Sequence, residues 1–312
     1  MLESLDSLSD ILVCPQTGKH LSRTQDGRFA TQGLSTVYEL SGTHPVLVDF
    51  DGSVLDREAT LSGGASSVVA RRRKNTLLLW LKRLVSPSPK KTLANISEFL
   101  EQLSRRDDPP RVLVIGGGSV GIGMSQLYEA PEVRLIAFDV YASPYVQFVA
   151  DAHKVPLSDG SVDGVIIQAV MEHVLEPDKV SQEIYRVLSK DGVVYAETPF
   201  MQQVHEAAYD FTRFTDSGHR YLFRQFEVIS SGALHGAADQ LLRSIEYFFR
   251  SIFRSLIIGK VAKLMFFWLK YFDLFIAEPY QVDAASAVFF MGRKTSHPIS
   301  AAEIIRYYKG AQ

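Results

Sequence analysis

The sequence is poor in the residues and runs that would build a covalent scaffold or a membrane span. Cys14 is the one cysteine in 312 residues, which excludes a disulfide within the chain and a cysteine-rich zinc site. The longest strongly apolar run, around 264–269, is far too short to cross a bilayer, and the acidic start MLESLDSLSD does not fit a signal peptide. From these absences we expect a cytoplasmic protein.

Acidic residues are also missing from one long stretch. None occurs between Glu58 and Glu98, although the net charge of the whole chain is only −2. The basic residues of that stretch are Arg71, Arg72, Arg73, Lys74, Lys82, Arg83, Lys90 and Lys91. The stretch could contact an anionic surface or RNA, but no base-stacking motif accompanies it, so we do not expect a nucleic-acid partner.

Turn signals and apolar runs predict three regions. Residues 1–57 fit a small β-rich module, residues 58–107 a linker with basic helices, and residues 108–312 the main domain. In the main domain strands alternate with helices, which predicts an α/β, doubly wound, Rossmann-like sheet. The predicted strands are 112–115, 133–138, a short one ending at Asp151, 162–168, 193–197, 226–230 and 287–291.

A glycine-rich loop follows the first of these strands and precedes a helix. Gly116, Gly118 and Gly121 satisfy the G-x-G-x-x-G pattern, which lets a cofactor approach the backbone closely. Asp139 ends the second strand, where a carboxylate can accept hydrogen bonds from ribose hydroxyls. Taken alone, the loop and the acid fit a dinucleotide as well as S-adenosylmethionine.

The next segment, DAHKVPLSDGSVDGVIIQAVMEHV, resembles the adenine-binding half of class I S-adenosylmethionine-dependent methyltransferases. The resemblance implies a seven-stranded sheet with an antiparallel last strand and S-adenosylmethionine as cofactor. It places Asp151, with Ala152 or His153, at the adenine and Asp139 at the ribose. It also places Gly116 and Gly118 under the methionine moiety and Gln168 beside the sulfonium.

One position departs from that family. Its members usually carry an acidic residue two positions before the first glycine, where it orients the amino group of the cofactor. This chain has Val114 there, so another group must replace the acid.

The stretch ETPFMQQVHEAAYDFTRFT resembles a subgroup often associated with bacterial surface-glycan genes. It implies O-methylation of a saccharide or another small polar acceptor in envelope glycan biosynthesis. His205 is the first candidate for the base that removes a hydroxyl proton, with His173 and Asp210 as further catalytic candidates. Glu172 and Arg213 lie near them in sequence, and no spacing in the chain predicts a metal site.

The N-terminal region resembles small zinc-ribbon-like proteins that activate methyltransferases. Cys14-Pro15, the Gly18 turn and the segment from Tyr38 to Val48 carry this resemblance. With Cys14 alone, the module is expected to hold no zinc and to act as a scaffold or to bind a partner.

A helical insertion is predicted at 239–278, before the last strand. Its apolar face and basic residues fit a cap over the acceptor pocket, a homodimer contact, or docking on an anionic membrane surface. A lipid-linked saccharide acceptor would account for membrane docking, which predicts a peripheral protein at the inner face of the membrane.

Two other functions compete with methyl transfer at this point. One is a non-catalytic S-adenosylmethionine-binding assembly protein, which Val114 and the missing cysteines support. The other is an NAD(P)-dependent oxidoreductase, which the loop and Asp139 alone would fit.

Overall fold

The structure is a computed structural model that describes residues 2–33, 36–63, 86, 90–104 and 108–312. Most of the predicted linker, including a basic helix expected from its apolar spacing at 68–85, lies outside the described residues. Within the described ranges, no helix is both long enough and apolar enough to cross a membrane.

Short strands precede the main sheet, and longer ones build it. The strands are β1 (Leu21–Arg23), β2 (Phe29–Thr31), β3 (Val37–Tyr38), β4 (Leu40–Ser41), β5 (His44–Pro45), β6 (Arg111–Ile115), β7 (Arg134–Asp139), β8 (Phe148–Val149), β9 (Val162–Gln168), β10 (Leu188–Pro199), β11 (Phe226–His235) and β12 (Ala287–Lys294). The helices are α1 (Arg57–Leu61), α2 (Lys90–Leu103), α3 (Ser125–Glu129), α4 (Pro177–Val187), α5 (Asp216–Leu222), α6 (Ala237–Ile252), α7 (Leu256–Met265), α8 (Glu278–Asp283) and α9 (Ala301–Arg306). Short 3-10 helices cover Leu5–Leu8, Met171–His173, Ala207–Tyr209 and Phe267–Leu274.

The main sheet has seven strands in the order β11-β12-β10-β9-β6-β7-β8. Strands β6 to β10 pair in parallel, whereas β12 runs antiparallel to both β10 and β11. This confirms the predicted α/β, doubly wound, Rossmann-like sheet with its antiparallel last strand. Because the parallel strands share a direction, the loops after β6, β7, β9 and β10 meet at one edge of the sheet.

Both faces of the sheet are covered, which is why its central strands are continuous apolar runs. Helix α2 packs on one face through Ile96, Phe99 and Leu103. Gly164 in β9 allows this close approach, since a Cβ there would lie 2.7 Å from the Phe99 ring. Helices α4 and α5 pack on the other face.

The N-terminal region completes that second face. Its strands form the sheet β1-β2-β3 and the hairpin β4-β5. Leu8, Leu12 and Leu47 are fully buried in the same apolar cluster as Leu113 and Phe138 of the main sheet. The described connection from β7 to β8 contains no helix. The boundary of a module at residue 57 stays a prediction.

The helical insertion is divided more than the sequence predicts. Helix α6 ends at Ile252, Arg254 takes a left-handed conformation with φ 48°, and the Ser255 side chain caps α7. The following segment, Phe267–Leu274, is 3-10 rather than α-helical. The apolar periodicity continues across these breaks, so it does not reveal them.

Candidate active site

The glycine loop and Asp139 are joined directly. Gly116 has φ 77°, and the Gly118 N–H donates to Asp139 Oδ2 at 2.7 Å. A Cβ on Gly118 would lie 2.5 Å from that oxygen and from the Tyr141 hydroxyl. Only glycine therefore fits between the loop and the acid, and the resulting cradle suits a ribose lying against bare backbone.

Asp151 lies two residues after the end of β8, which is shorter than the predicted strand ending at Asp151, and its carboxylate already accepts hydrogen bonds. It accepts hydrogen bonds from the Ser53 hydroxyl, from the His153 N–H at 2.9 Å and from His153 Nδ1 at 2.6 Å. Burial opposes ionisation, but the hydrogen bonds from His153 and Ser53 outweigh it and lower the pKa of Asp151. Ala152 beside it is buried. The adenine contacts of these residues stay predictions, and Ser53 is a neighbour that sequence reasoning missed.

Gln168 ends β9 and faces the glycine loop. Its Nε2 donates to the Ile122 carbonyl at 3.1 Å and to Glu197 Oε2 at 2.6 Å. A side chain on Gly121 would collide with Gln168 Oε1. Gln168 therefore borders the loop on the side expected for the methionine moiety.

Glu197 in β10 is a buried carboxylate that sequence reasoning missed. It accepts hydrogen bonds from the hydroxyls of Thr92, at 2.8 Å, and Tyr195, as well as from Gln168. Burial raises the pKa of Glu197, although these hydrogen bonds work in the opposite direction.

The catalytic candidates meet beyond the ends of β9 and β10. Nε2 of His173 lies 3.6 Å from Glu172 Oε1, and Nε2 of His205 lies 3.5 Å from the same oxygen. The Glu172 side chain is fully buried, and among the described residues neither of its carboxylate oxygens has a hydrogen-bond partner of ordinary geometry. The two imidazole rings meet edge to face, with centroids 4.9 Å apart. The fold thus brings the predicted histidines together around one buried carboxylate.

A second carboxylate holds His205 from the other side. Asp210 Oδ2 accepts the His205 backbone N–H at 2.6 Å and lies 3.5 Å from Nδ1 of the ring. Contact with Glu172 is the main cause of a raised pKa of His205; the charge of Asp210 adds to it, and burial opposes it. Asp210 and Arg213 do form an ion pair, but on an extended segment and not on the helical face that the spacing suggests.

Backbone strain is concentrated around this cluster. Ala169, Glu206 and Ala207 have φ between 50° and 56°, a left-handed conformation that costs non-glycine residues free energy. Ala169 follows Gln168, and Glu206 and Ala207 follow His205. Strained backbone of this kind persists only where the surrounding structure imposes it and is concentrated at functional sites, which supports a functional role for both segments.

The same cluster is the one place in the described ranges where a metal ion could be held. Donor atoms of Glu172, His173 and His205 lie within 4.8 Å of one another. At zinc bond lengths of about 2.0–2.1 Å the ligand atoms would lie about 3–3.5 Å apart. The observed distances of 3.6 and 3.5 Å from Glu172 Oε1 to the two imidazole nitrogens fit such a site, but they also fit a carboxylate that lies beside two imidazoles without a metal. The predicted absence of a metal stays a prediction.

A family model described as "Methyltransferase domain" matches residues 124–196. The matched span includes Asp139, Asp151, Gln168 and the Glu172-His173 pair. Among curated proteins, none matches the chain.

Solved structures with a similar chain course are distant. The putative sarcosine dimethylglycine methyltransferase from Galdieria sulphuraria is 14% identical, with 66% of this chain and 86% of that chain covered and a TM-score of 0.44. The complex of the Haloferax volcanii Trm112 methyltransferase activator with its putative methyltransferase gives 16% identity, 72% and 98% coverage, and a TM-score of 0.42. Haemonchus contortus phosphoethanolamine N-methyltransferase 2 with S-adenosyl-L-methionine is 18% identical, with 64% of this chain and 53% of that chain covered and a TM-score of 0.41. At these scores the similarities identify neither an acceptor nor a partner.

Proposed function

Since the chain carries a methyltransferase domain that uses S-adenosylmethionine, we propose that it methylates a hydroxyl group of a saccharide. The observation that carries the proposal is the polar cluster of Glu172, His173, His205 and Asp210. It lies at the same edge of the sheet as the glycine loop and Asp139, and Val170, two residues before Glu172, packs directly over Gly116.

Bound S-adenosylmethionine supplies an electrophilic methyl carbon on a sulfonium. The acceptor oxygen forms a bond to that carbon while the carbon–sulfur bond breaks, and the hydroxyl proton must leave. Much of the acceleration comes from holding the oxygen within about 3–3.5 Å of the methyl carbon and in line with the breaking bond.

His205 is the group we assign to take the proton. Its side chain is 32% exposed, so an acceptor can reach it, whereas its partners Glu172 and Asp210 are buried. Two carboxylates beside the ring stabilise the imidazolium that forms. Arg213 contacts Asp210, the Gln202 carbonyl at 3.1 Å and Nδ1 of the His205 ring at 3.4 Å, and these contacts fix the loop on which His205 lies.

Lipid-linked saccharide is the form of acceptor that the insertion supports. Its helices expose many large apolar side chains, among them Phe248, Phe253, Ile257, Met265, Leu274 and Phe275. The segment 237–275 also carries six basic and three acidic residues. An exposed apolar surface with an excess of positive charge suits an anionic membrane.

The N-terminal region would act within the chain as a scaffold. Leu47 N–H donates to the Val149 carbonyl at 2.8 Å at the edge of the main sheet, and Ser53 reaches Asp151. These contacts support a structural role beside Asp151, at the expected adenine side of the cofactor site.

The test of the acceptor is an assay with methyl-labelled S-adenosylmethionine and matched acceptors. Free sugar nucleotides, lipid-linked saccharides, small amines and carboxylic acids are offered separately, and products are identified by mass. Label in a saccharide ether that is lost in His205→Asn supports the proposal. Transfer to an amine or a carboxylate but to no saccharide would refute it.

Membrane docking has its own test. Sedimentation with liposomes of anionic or neutral phospholipid should show binding to the anionic ones that weakens with salt, because each basic residue near the surface contributes about 1 kcal/mol. Phe253→Ser combined with Ile257→Ser should reduce binding without changing turnover of a soluble acceptor. No binding at low salt would rule docking out.

A further inference from the structure

We propose that Glu197, acting with Gln168, provides the negative charge that binds the ammonium group of the cofactor's methionine moiety. The inference rests on the proposed use of S-adenosylmethionine, but not on the identity of the acceptor. Neither the location of Glu197 in the sequence nor the matched family model marks this residue as part of the site.

The first reason is the charge balance around Glu197. Its side chain is buried, with 5% of the residue exposed. Within the described ranges, no lysine, arginine or histidine lies within ion-pair distance of its carboxylate, and its hydrogen-bond partners Thr92, Tyr195 and Gln168 are all neutral. A buried charge is costly unless it is paired, so this carboxylate favours a cationic ligand.

The second reason is where the charge lies. Glu197 and Gln168 are register partners on neighbouring parallel strands, and both come at the edge where the glycine loop lies. Gln168 fills the space between Glu197 and the loop, since its Nε2 joins the carboxylate to the Ile122 carbonyl. The negative charge of Glu197 therefore lies behind Gln168, next to the part of the site that would hold the methionine moiety.

The orientation of the Gln168 amide follows from its partners. Both neighbours of Nε2 are acceptors, a carboxylate and a carbonyl, so the amide must present its N–H groups to them. Its carbonyl Oε1 is then directed toward the loop beside Gly121, where the absence of a side chain leaves room. An oxygen polarised by the carboxylate behind it is a suitable acceptor for an ammonium N–H.

The third reason is the missing acid at position 114. Val114 lies on β6 in the apolar cluster that also contains Tyr195, which places it on the same face of the sheet as Glu197. The side chain of Val114 has no oxygen or nitrogen that could accept a hydrogen bond from an ammonium group. Glu197, two residues beyond Tyr195 on β10, supplies the charge on this face from the opposite side of β9.

The experiment is a calorimetric titration that needs no acceptor. The ligands are S-adenosylmethionine, S-adenosylhomocysteine and 5′-methylthioadenosine, of which the last has no ammonium group. Glu197→Gln keeps the shape and removes the charge. We expect about 10- to 100-fold weaker binding of the first two ligands, the range of a hydrogen bond to a charged group, and less than about a twofold change for 5′-methylthioadenosine.

Thr92→Val is the matched control, because it removes one buried hydrogen bond to Glu197 and leaves the carboxylate in place. It should weaken all three ligands by no more than a few fold. Gln168→Met tests the second half of the proposal and also serves if Glu197→Gln does not fold; it should reproduce the selective loss.

Three outcomes would overturn the proposal. Equal weakening of 5′-methylthioadenosine would mean that Glu197 merely shapes the pocket. Weakening of S-adenosylmethionine alone would mean that the charge acts on the sulfonium. Unchanged binding of all three ligands would leave Glu197 without a role in cofactor binding. Failure of the wild-type protein to bind any of them would instead refute the proposed use of the cofactor.

Discussion

His219 should make the stability of this protein fall in mild acid. The residue is 1% exposed in α5, and the rings of Phe214, Phe223 and Phe290 surround it. Neither ring nitrogen has a hydrogen-bond partner within the described ranges. Burial without a partner disfavours the imidazolium and lowers the pKa of His219 to about 3.

The size of the effect follows from proton linkage. An unfolded chain binds a proton at a histidine near pH 6.5, about three and a half pH units above the folded pKa of about 3. Between those limits the unfolded state holds the extra proton, so the free energy of unfolding falls by about 1.4 kcal/mol for each unit of falling pH. From about pH 8 to pH 5 the loss from His219 alone is about 2 kcal/mol.

His219→Phe isolates this contribution. Urea unfolding curves of the variant and the wild type, measured at several values from about pH 8 to pH 5, give the difference in unfolding free energy. Whatever the packing cost at pH 8, that difference should move by about 2 kcal/mol in favour of the variant at pH 5. His297→Phe, at an exposed position, controls for removal of an imidazole elsewhere. A difference that does not change with pH would show that the folded protein protonates His219 readily.

The remaining predictions concern the site. His205→Asn should lower kcat by about 10²- to 10⁴-fold and leave the dissociation constant of S-adenosylmethionine unchanged; equal turnover would remove His205 as the base. Gly118→Ala should weaken S-adenosylmethionine binding in calorimetry, because its Cβ would lie 2.5 Å from the Asp139 carboxylate, and unaltered affinity would contradict the cradle. Dialysis against a chelator should leave turnover intact; a loss that zinc restores would assign a metal to the Glu172 cluster and make His205 a ligand.

The parts of the fold that follow local patterns were predictable. Buried strands such as Val162–Gln168 are largely apolar and are bounded by turn residues. The glycine loop directly follows β6 and Asp139 ends β7, so both can be recognised from the residues around them. The confirmed doubly wound sheet with its parallel central strands follows from the alternation of strands and helices. The breaks in the helical insertion do not, because the apolar spacing is the same on both sides of Arg254.

The partners within the site depend on tertiary register and could not be predicted. Gln168 and Glu197 are 29 residues apart, and they meet because β9 and β10 pair in parallel with those residues opposite each other. Ser53 reaches Asp151 across 98 residues. A single sequence does not show which of its distant residues come into contact. The role of the buried carboxylate of Glu197 was therefore missed, although its strand was predicted.

The central claim is the cofactor, and its most direct test is a titration of the purified protein with S-adenosylmethionine, S-adenosylhomocysteine, NAD and NADP, beside Asp139→Ala. We predict micromolar binding of the two sulfur nucleotides only, and loss of that binding in the variant because the ribose contact disappears. Binding of NAD or NADP instead would contradict the account of Asp139, Asp151 and the whole central domain.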